Sequence, residues 1–181
     1  MLKLFRELLS NFLRGDRGDD RPRKAVLQYQ TGVRRARKGQ HNRAIEKFTS
    51  AIELSPDTGA LYHHRASSYA ELNRHSEAMR DLNSAVRLNP SYPDIYLDRG
   101  NSNRALGERT AATRDYSEAV RLRPDFGEAY ANRAVVHVEL GEDQLAREDA
   151  EQALALGIDE ETLEELLQHA RERAKASAND H

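Results

Sequence analysis

One short phrase recurs four times in the chain, as Ala51-Ile52-Glu53-Leu54, Ala85-Val86-Arg87-Leu88, Ala119-Val120-Arg121-Leu122 and Ala153-Leu154-Ala155-Leu156. Each copy begins 34 residues after the previous one. The first three copies are followed at a fixed distance by Pro56, Pro90 and Pro124. A second series of alanines stands seven residues ahead of the first, at Ala44, Ala78, Ala112 and Ala146. Series that keep the same phase indicate a repeated structural unit.

Each unit is predicted to be a pair of helices, each of roughly 14 residues, joined by a tight turn. The residues expected at that turn tolerate the left-handed conformation that ends a helix, and they are Gly39, Asn73, Gly107 and Gly141. Proline ends the second helix because it has no N–H to donate. Small residues let the paired helices approach closely, at Gly32, Ala66, Gly100 and Ala134. Large residues fill the space between repeats, at Tyr62, Tyr96 and Tyr130.

Composition agrees with an elongated helical array. The chain is 38% hydrophobic and 32% charged, with a formal net charge of −2 and no cysteine. An array of this kind exposes more surface than a sphere of equal mass, which suits the high charge. The absence of cysteine excludes a disulfide framework and a thiolate metal site. Charge is also uneven, since Arg14 to Lys47 is mainly basic and Glu139 to Glu165 is mainly acidic.

This pattern resembles the tetratricopeptide repeat (TPR) family over about Ala25 to Ile158. The resemblance implies an all-α fold, a right-handed superhelical solenoid of about four helix pairs, at residues 25–58, 59–92, 93–126 and 127–158. Two kinds of position depart from the family pattern. An apolar slot holds Arg65, Arg99 and Arg133, whose stems can lie along the neighbouring helix. An aromatic slot holds Tyr69 in one repeat but Asn103 and His137 in others.

A further helix is predicted at residues 159–176, followed by a disordered tail at 177–181. Asp159 is suited to cap the start of this helix. Its inner stripe is expected to be Leu163, Leu166, Leu167 and Ala170, with charged residues over the remaining surface. We therefore interpret it as a helix that caps the array.

In the family, the first helix of each repeat lines a concave wall that binds extended peptides or short helices. The resemblance therefore implies a peptide groove formed by Tyr29, Val33, Arg37, His63, His64, Ser67, Glu71, Asp94, Leu97, Asp98, Asn101, Arg104, Glu128, Asn132 and Val135.

One subgroup of the family grips the C-terminal carboxylate of chaperone tails with a clamp of Lys, Asn, Asn, Lys and Arg. Asn101 and Asn132 each fit a clamp position here. In the register that uses the second and third repeats, however, His64 replaces an Asn of the clamp. Asp94 and Asp98 replace its two cations. Two carboxylates there would repel an acidic tail, which predicts a preference for a neutral or basic segment. The alternative is that Asp94 only favours the start of its helix and Asp98 is solvated.

Residues 1–14 are predicted to form an amphipathic helix, separated from the repeats by a flexible polar linker at residues 15–23. Its apolar half includes Leu2, Phe5, Leu8, Leu9, Phe12 and Leu13. Three surfaces could bury this half: an anionic membrane interface, a partner protein, or the groove of this protein, in cis or from a neighbouring copy.

Nothing in the sequence indicates catalysis, so we predict no enzyme activity, no catalytic residue and no cofactor. His63 and His64 are adjacent and point about 100° apart on a helix, which disfavours chelation of one metal ion. No nucleic-acid partner is expected, because the basic residues are confined to one region. The leading hypothesis is a cytoplasmic protein-interaction adaptor that binds a protein or peptide. The alternative is a membrane-peripheral assembly factor held on anionic lipid by its first helix, and self-association remains open.

Overall fold

The computed structural model describes the backbone of residues 20–179 and the side chains of residues 20–176. Within this range the regular structure consists of nine helices: α1 Arg21–Ala36, α2 His41–Leu54, α3 Gly59–Ala70, α4 His75–Leu88, α5 Pro93–Ala105, α6 Arg109–Leu122, α7 Gly127–Leu140, α8 Asp143–Ala155 and α9 Glu160–Asn179. The predicted all-α fold of helix pairs is therefore confirmed. The predicted helix at residues 1–14 lies outside the described residues.

The chain divides into two compact units, Met1–Pro90 and Ser91–His181. Of the described helices, α1 to α4 belong to the first unit and α5 to α9 to the second. Helices pair as consecutive partners, α1 with α2, α3 with α4, α5 with α6, and α7 with α8. Within each unit, a first helix also packs on the second helix of the pair before it, α3 on α2 and α7 on α6.

Close packing within a pair depends on the small residue that the sequence places at the crossing point. A Cβ atom added to Gly32 would lie 2.6 Å from a ring carbon of Phe48, and one added to Gly100 would lie 2.5 Å from a ring carbon of Tyr116. Both distances are far shorter than van der Waals contact. In the pairs that carry alanine instead, Ala66 and Ala134 are buried.

The predicted turn residues adopt the left-handed conformation. The φ angles are 69° at Gly39, 83° at Gly107 and 76° at Gly141. Asn73 has a φ of 56° and is the only non-glycine residue with positive φ among those that the structure describes. Asparagine tolerates this region better than most residues, so one repeat can use it where the others use glycine.

Helix α9 caps the second unit and packs chiefly on α7. As predicted, Asp159 caps its start, because its Oδ2 accepts a hydrogen bond of 2.8 Å from the backbone N–H of Thr162. Leu163, Leu167 and Ala170 enter a core formed with α7 and α8. The prediction for Leu166 is wrong, since this residue is 37% exposed. It lies about 100° around the helix from Leu167, at the edge of the stripe.

Two predicted boundaries also shift. Helix α1 begins at Arg21, inside the segment predicted to be a linker, because Pro22 in the first turn has a backbone angle suited to a helix start. Helix α9 continues to Asn179, inside the segment predicted to be a disordered tail.

A buried ion pair recurs in three of the helix pairs, with N–O distances of 2.7, 2.6 and 2.6 Å, in Arg65–Asp81, Arg99–Asp115 and Arg133–Asp149. Each guanidinium lies 5.4 to 5.8 Å from the ring centre of the tyrosine three residues before it. The arginines that depart from the family pattern therefore each hold an aspartate of the second helix, in addition to lying along a neighbouring side chain.

The polar residues in the aromatic slot belong to the same arrangement. The Asn103 side-chain amide donates a 2.8 Å hydrogen bond to Asp115. His137 lies with its Nε2 3.6 Å from Asp149 and its Nδ1 2.5 Å from Glu142. These substitutions extend the polar contacts of the buried aspartate, because a buried carboxylate is stable only when its oxygens are satisfied.

Candidate peptide-binding surface

The residues predicted to line the groove lie on four helices, α1 and α3 in the first unit and α5 and α7 in the second.

An aromatic and imidazole cluster occupies the predicted face of the first unit. The Tyr29 hydroxyl lies 3.0 Å from Nε2 of His64. The ring of His64 stacks on Phe48 with 5.9 Å between ring centres, and His63 lies 5.8 Å from His64. Tyr29 is mostly buried, while both histidines are half-buried. The cluster offers flat, partly apolar surface with hydrogen-bonding nitrogen atoms.

The other predicted residues of this unit surround the cluster. Val33 is half-buried and packs on the core that includes Tyr29 and Phe48. Ser67 donates a 3.2 Å hydrogen bond to the carbonyl oxygen of His63. Arg37 and Glu71 follow the ends of α1 and α3 and are exposed. They carry opposite charges, so this face has no dominant sign.

Three carboxylates form an acidic patch on the second unit, composed of Asp94, Asp98 and Glu128. Partial loss of hydration and the charges of Asp98 and Asp94 raise the pKa of Glu128 above its ordinary value, and Arg123 opposes them in part. Arg123 also pairs directly with Asp94. Asp94 and Asp98 stand one helical turn apart on α5, and α5 contacts α7, whose first turn carries Glu128.

Side-chain amides lie next along the same two helices. Asn101 Oδ1 accepts a 2.8 Å hydrogen bond from the hydroxyl of Tyr116 and lies 3.3 Å from Nδ2 of Asn132. Burial raises the pKa of the Tyr116 hydroxyl, which therefore stays protonated and donates. The two predicted residues Asn101 and Asn132 are thus brought together, and amide groups can bind the backbone of an extended peptide.

The far end of this face is closed by packing. Arg104 contacts Glu139 at 3.1 Å, and Glu139 is also 3.3 Å from Arg109 and 3.9 Å from Arg173 of α9. Val135, which was predicted to line the groove, is fully buried in the core that α9 completes. Leu97, also predicted to line it, is buried as well.

Sequence reasoning missed Arg123 as a residue that sets the charge of this face, and it missed the arginine partners of Glu139. Arg123 is the only charged residue in its series, since the equivalent positions in the two preceding repeats are Ser55 and Asn89. Glu139 has an acidic equivalent, Glu71, but only contact with α9 gives it three arginine partners. No periodic signal identifies either role.

Two family profiles match the chain, one described as "TPR repeat" over residues 66–107 and one as "Tetratricopeptide repeat" over residues 97–161. A comparison with curated protein sequences gives no match.

Solved structures with the same fold include the first TPR domain of Spaghetti (RPAP3) bound to the HSP90 peptide SRMEEVD, which is 30% identical to this chain with a TM-score of 0.66. That match covers 70% of this chain and 99% of the domain. The second TPR domain of human RPAP3 in complex with the HSP70 peptide SGPTIEEVD is 25% identical over 64% of this chain and 97% of the domain, with a TM-score of 0.63. MamA, at 23% identity over 75% of this chain and 79% of its own, has a TM-score of 0.71 and shows the fold alone.

Proposed function

Because the chain belongs to the tetratricopeptide repeat family, we propose that it is a protein-interaction adaptor whose first helices bind a neutral or basic peptide segment. The acidic patch on the second unit carries this proposal. Asp94 and Asp98 stand where the carboxylate clamp of the family has its cations, and Glu128 adds a third carboxylate beside them.

The solved neighbours sharpen the contrast. The peptides in their names, SRMEEVD and SGPTIEEVD, both end in two glutamates, a valine and an aspartate. Such a tail would meet like charge at the acidic patch, which opposes binding. A lysine or arginine side chain would instead be attracted to these carboxylates and would offset the repulsion among them, which adds to desolvation in raising the pKa of Glu128.

Other residues of each unit also offer contacts that suit a peptide. Asn101 and Asn132 offer amide groups to a peptide backbone. The aromatic and imidazole cluster of Tyr29, His63 and His64 supports binding of an apolar or aromatic side chain. On the second unit, the acidic patch and the two amides favour a ligand with a cationic side chain over an acidic tail.

A panel of three peptides of equal length tests the proposal. One contains lysines, one is neutral, and one ends in Glu-Glu-Val-Asp, and the affinity of each is measured by isothermal titration calorimetry. We expect the lysine peptide to bind most tightly and the acidic peptide least. Replacement of Asp98 by lysine should weaken the lysine peptide about tenfold, the equivalent of roughly 1.4 kcal/mol, because an attraction becomes a repulsion.

The matched control is Asp57→Lys, which makes the same charge change at an exposed residue between α2 and α3. It should leave the order and the affinities of the three peptides unchanged at physiological ionic strength. The proposal fails if the acidic peptide binds most tightly, or if Asp98→Lys and Asp57→Lys have equal effects.

A second candidate function rests on residues 1–14, whose sequence combines a continuous apolar half with Lys3 and Arg6. It is a membrane-peripheral assembly factor attached to anionic lipid by this segment. Among the described helices, none is both long enough and apolar enough to cross a bilayer. Co-sedimentation with anionic vesicles, with and without residues 1–14, tests this candidate. A full-length protein that stays in the supernatant would exclude it.

A further inference from the structure

Leu27 of α1 occupies an unusual environment for its place in the repeat. Leu27 is 58% exposed, whereas the residues at the same position in the later repeats and in α9 are at most 2% exposed. Those residues are Leu61, Ile95, Ala129 and Leu163. Leu61 shows what the position does, because it packs on Tyr29 and Phe48 of the preceding helix pair. Leu27 therefore presents the contact side of a first helix, and no helix pair covers it among the described residues.

Basic side chains surround Leu27. Three cations share its side of the helix because of their spacing: Arg23 is four residues before it, Lys24 three residues before it and Arg34 seven residues after it. All three are exposed. Between Arg21 and Lys47 the chain has nine Lys and Arg residues and one Glu. We call Leu27 and these three cations the basic end face.

An open groove of opposite charge lies between α8 and α9 in the second unit. It exists because α9 packs chiefly on α7 and leaves part of α8 uncovered. Four glutamates and one arginine, Arg171, are among its lining residues. Leu154 is 38% exposed and is the main apolar side chain that the groove presents, because Leu163 and Leu167 behind it are at most 8% exposed. We call Leu154, Ala150, Leu163, Leu167, Glu160 and Glu164 the acidic end groove.

The acidic end groove lies in the most negatively charged part of the chain. Between Glu139 and Glu165 there are eleven Asp and Glu residues and one Arg. Each of these two surfaces therefore combines an exposed leucine with a surplus of charge, and the two surpluses have opposite signs.

We propose that the basic end face of one molecule docks into the acidic end groove of a second copy of this chain. Leu27 then packs against the apolar lining, while Arg23, Lys24 and Arg34 meet the surrounding glutamates. The occupant is a second copy because one chain carries both complementary surfaces. A face-to-face dimer of two basic end faces would place cations against cations, which opposes that arrangement.

Such a contact joins different surfaces on the two molecules, so each docked pair still carries one unused surface of each kind. These surfaces can bind further copies or close a ring, so the average mass rises with concentration. Because ion pairs at an exposed interface are screened by salt, the association weakens as ionic strength rises. The inference does not depend on the proposed peptide binding, because it uses other residues.

Sedimentation velocity of the full chain tests the proposal over a range of concentrations at low and at physiological ionic strength. We expect the average mass to increase with concentration and to increase less at the higher ionic strength. Leu27→Glu removes the basic end face, and Leu154→Lys alters the acidic end groove. Each variant alone should lose association by at least about tenfold.

The mixture of these two variants is the decisive sample. The Leu27→Glu chain keeps an intact groove, and the Leu154→Lys chain keeps an intact basic end face. Together they should form a one-to-one dimer and nothing larger, because each has one functional end. A control variant, Leu106→Glu, changes a 44% exposed leucine between α5 and α6 that belongs to neither surface, and it should associate like the unmodified chain.

All three substitutions are at exposed positions, and circular dichroism spectra confirm that each variant is folded before its mass is measured. The proposal is overturned if the unmodified chain remains monomeric at low ionic strength throughout the concentration range. It is also overturned if Leu154→Lys alone associates like the unmodified chain, or if the mixture of the two single-end variants stays monomeric.

Discussion

Removal of one buried aspartate should test the role of the recurring ion pair. In the unmodified protein the Asp81 carboxylate accepts two hydrogen bonds of 2.7 Å, from Nε and Nη2 of Arg65. The side chains of Arg65 and Asp81 are 17% and 8% exposed. The hydrogen bond to Asp81 raises the pKa of Arg65, so the guanidinium stays charged. Asp81→Ala leaves that charge with a hydrogen bond of 2.9 Å to the Thr49 hydroxyl and the ring of Tyr62, neither of which carries a negative charge.

Removing one partner of a buried ion pair lowers the free energy of unfolding by about 3–5 kcal/mol. Because Arg65 is partly exposed, we expect a loss near the lower end, at about 3 kcal/mol. In a chain of this size, that corresponds to a fall in melting temperature of roughly 6–12 °C. The measurement is urea and thermal denaturation followed by circular dichroism. The transition that includes α3 and α4 should move, because these helices carry the pair.

Two further variants separate the pair from other effects. Arg65→Met with Asp81→Leu replaces both charges by apolar groups and should recover most of the lost stability, since neither charge is left unpaired. Arg121→Ala breaks an exposed pair with Glu118 and should lower stability much less than Asp81→Ala, because solvent screens the exposed charges. The reasoning is refuted if Asp81→Ala costs no more than Arg121→Ala, or if the double replacement is less stable than the single one.

Two other predictions concern packing and pH. Gly100→Ala should destabilise the second unit by about 1–3 kcal/mol in urea denaturation, because the added Cβ would lie 2.5 Å from the Tyr116 ring. An unchanged urea midpoint would contradict this prediction and show that the ring can move. The affinity of a lysine peptide, measured by calorimetry, should fall as the pH is lowered. This fall should occur at a higher pH than the ordinary pKa of a glutamate would predict. Protonation of Glu128 removes a negative charge, and its pKa is raised by desolvation and by Asp98 and Asp94. Asp98→Asn should move this loss to lower pH, and an unmoved profile would contradict the role of Asp98.

The repeat made much of the fold predictable. Positions such as Gly32 and Gly100 leave a strong signal because an added methyl group there would overlap an aromatic ring. The turns were predictable for a similar local reason, since few residues accept the φ of 56° observed at Asn73. Asp159 was recognisable as a cap because its partner is only three residues away.

The candidate surface was only partly predictable. The family pattern indicated the helices that carry it, and Asn101 and Asn132 do lie together. It did not show that Val135 is buried, because that depends on how α9 packs. It also did not show that Arg123 pairs with Asp94, because that contact joins residues 29 positions apart without a periodic counterpart.

The amino-acid order alone determined the helix pairs, their turns and the uneven distribution of charge, because these follow from steric limits and spacing within a few turns of helix. Tertiary packing decided which charges are paired and which surfaces stay open. Arg65 differs from Arg23 only in its surroundings, since one meets a buried aspartate and the other is exposed beside Leu27. Burial and the distance between charges arise only when separate helices come together, so no local pattern could have assigned them.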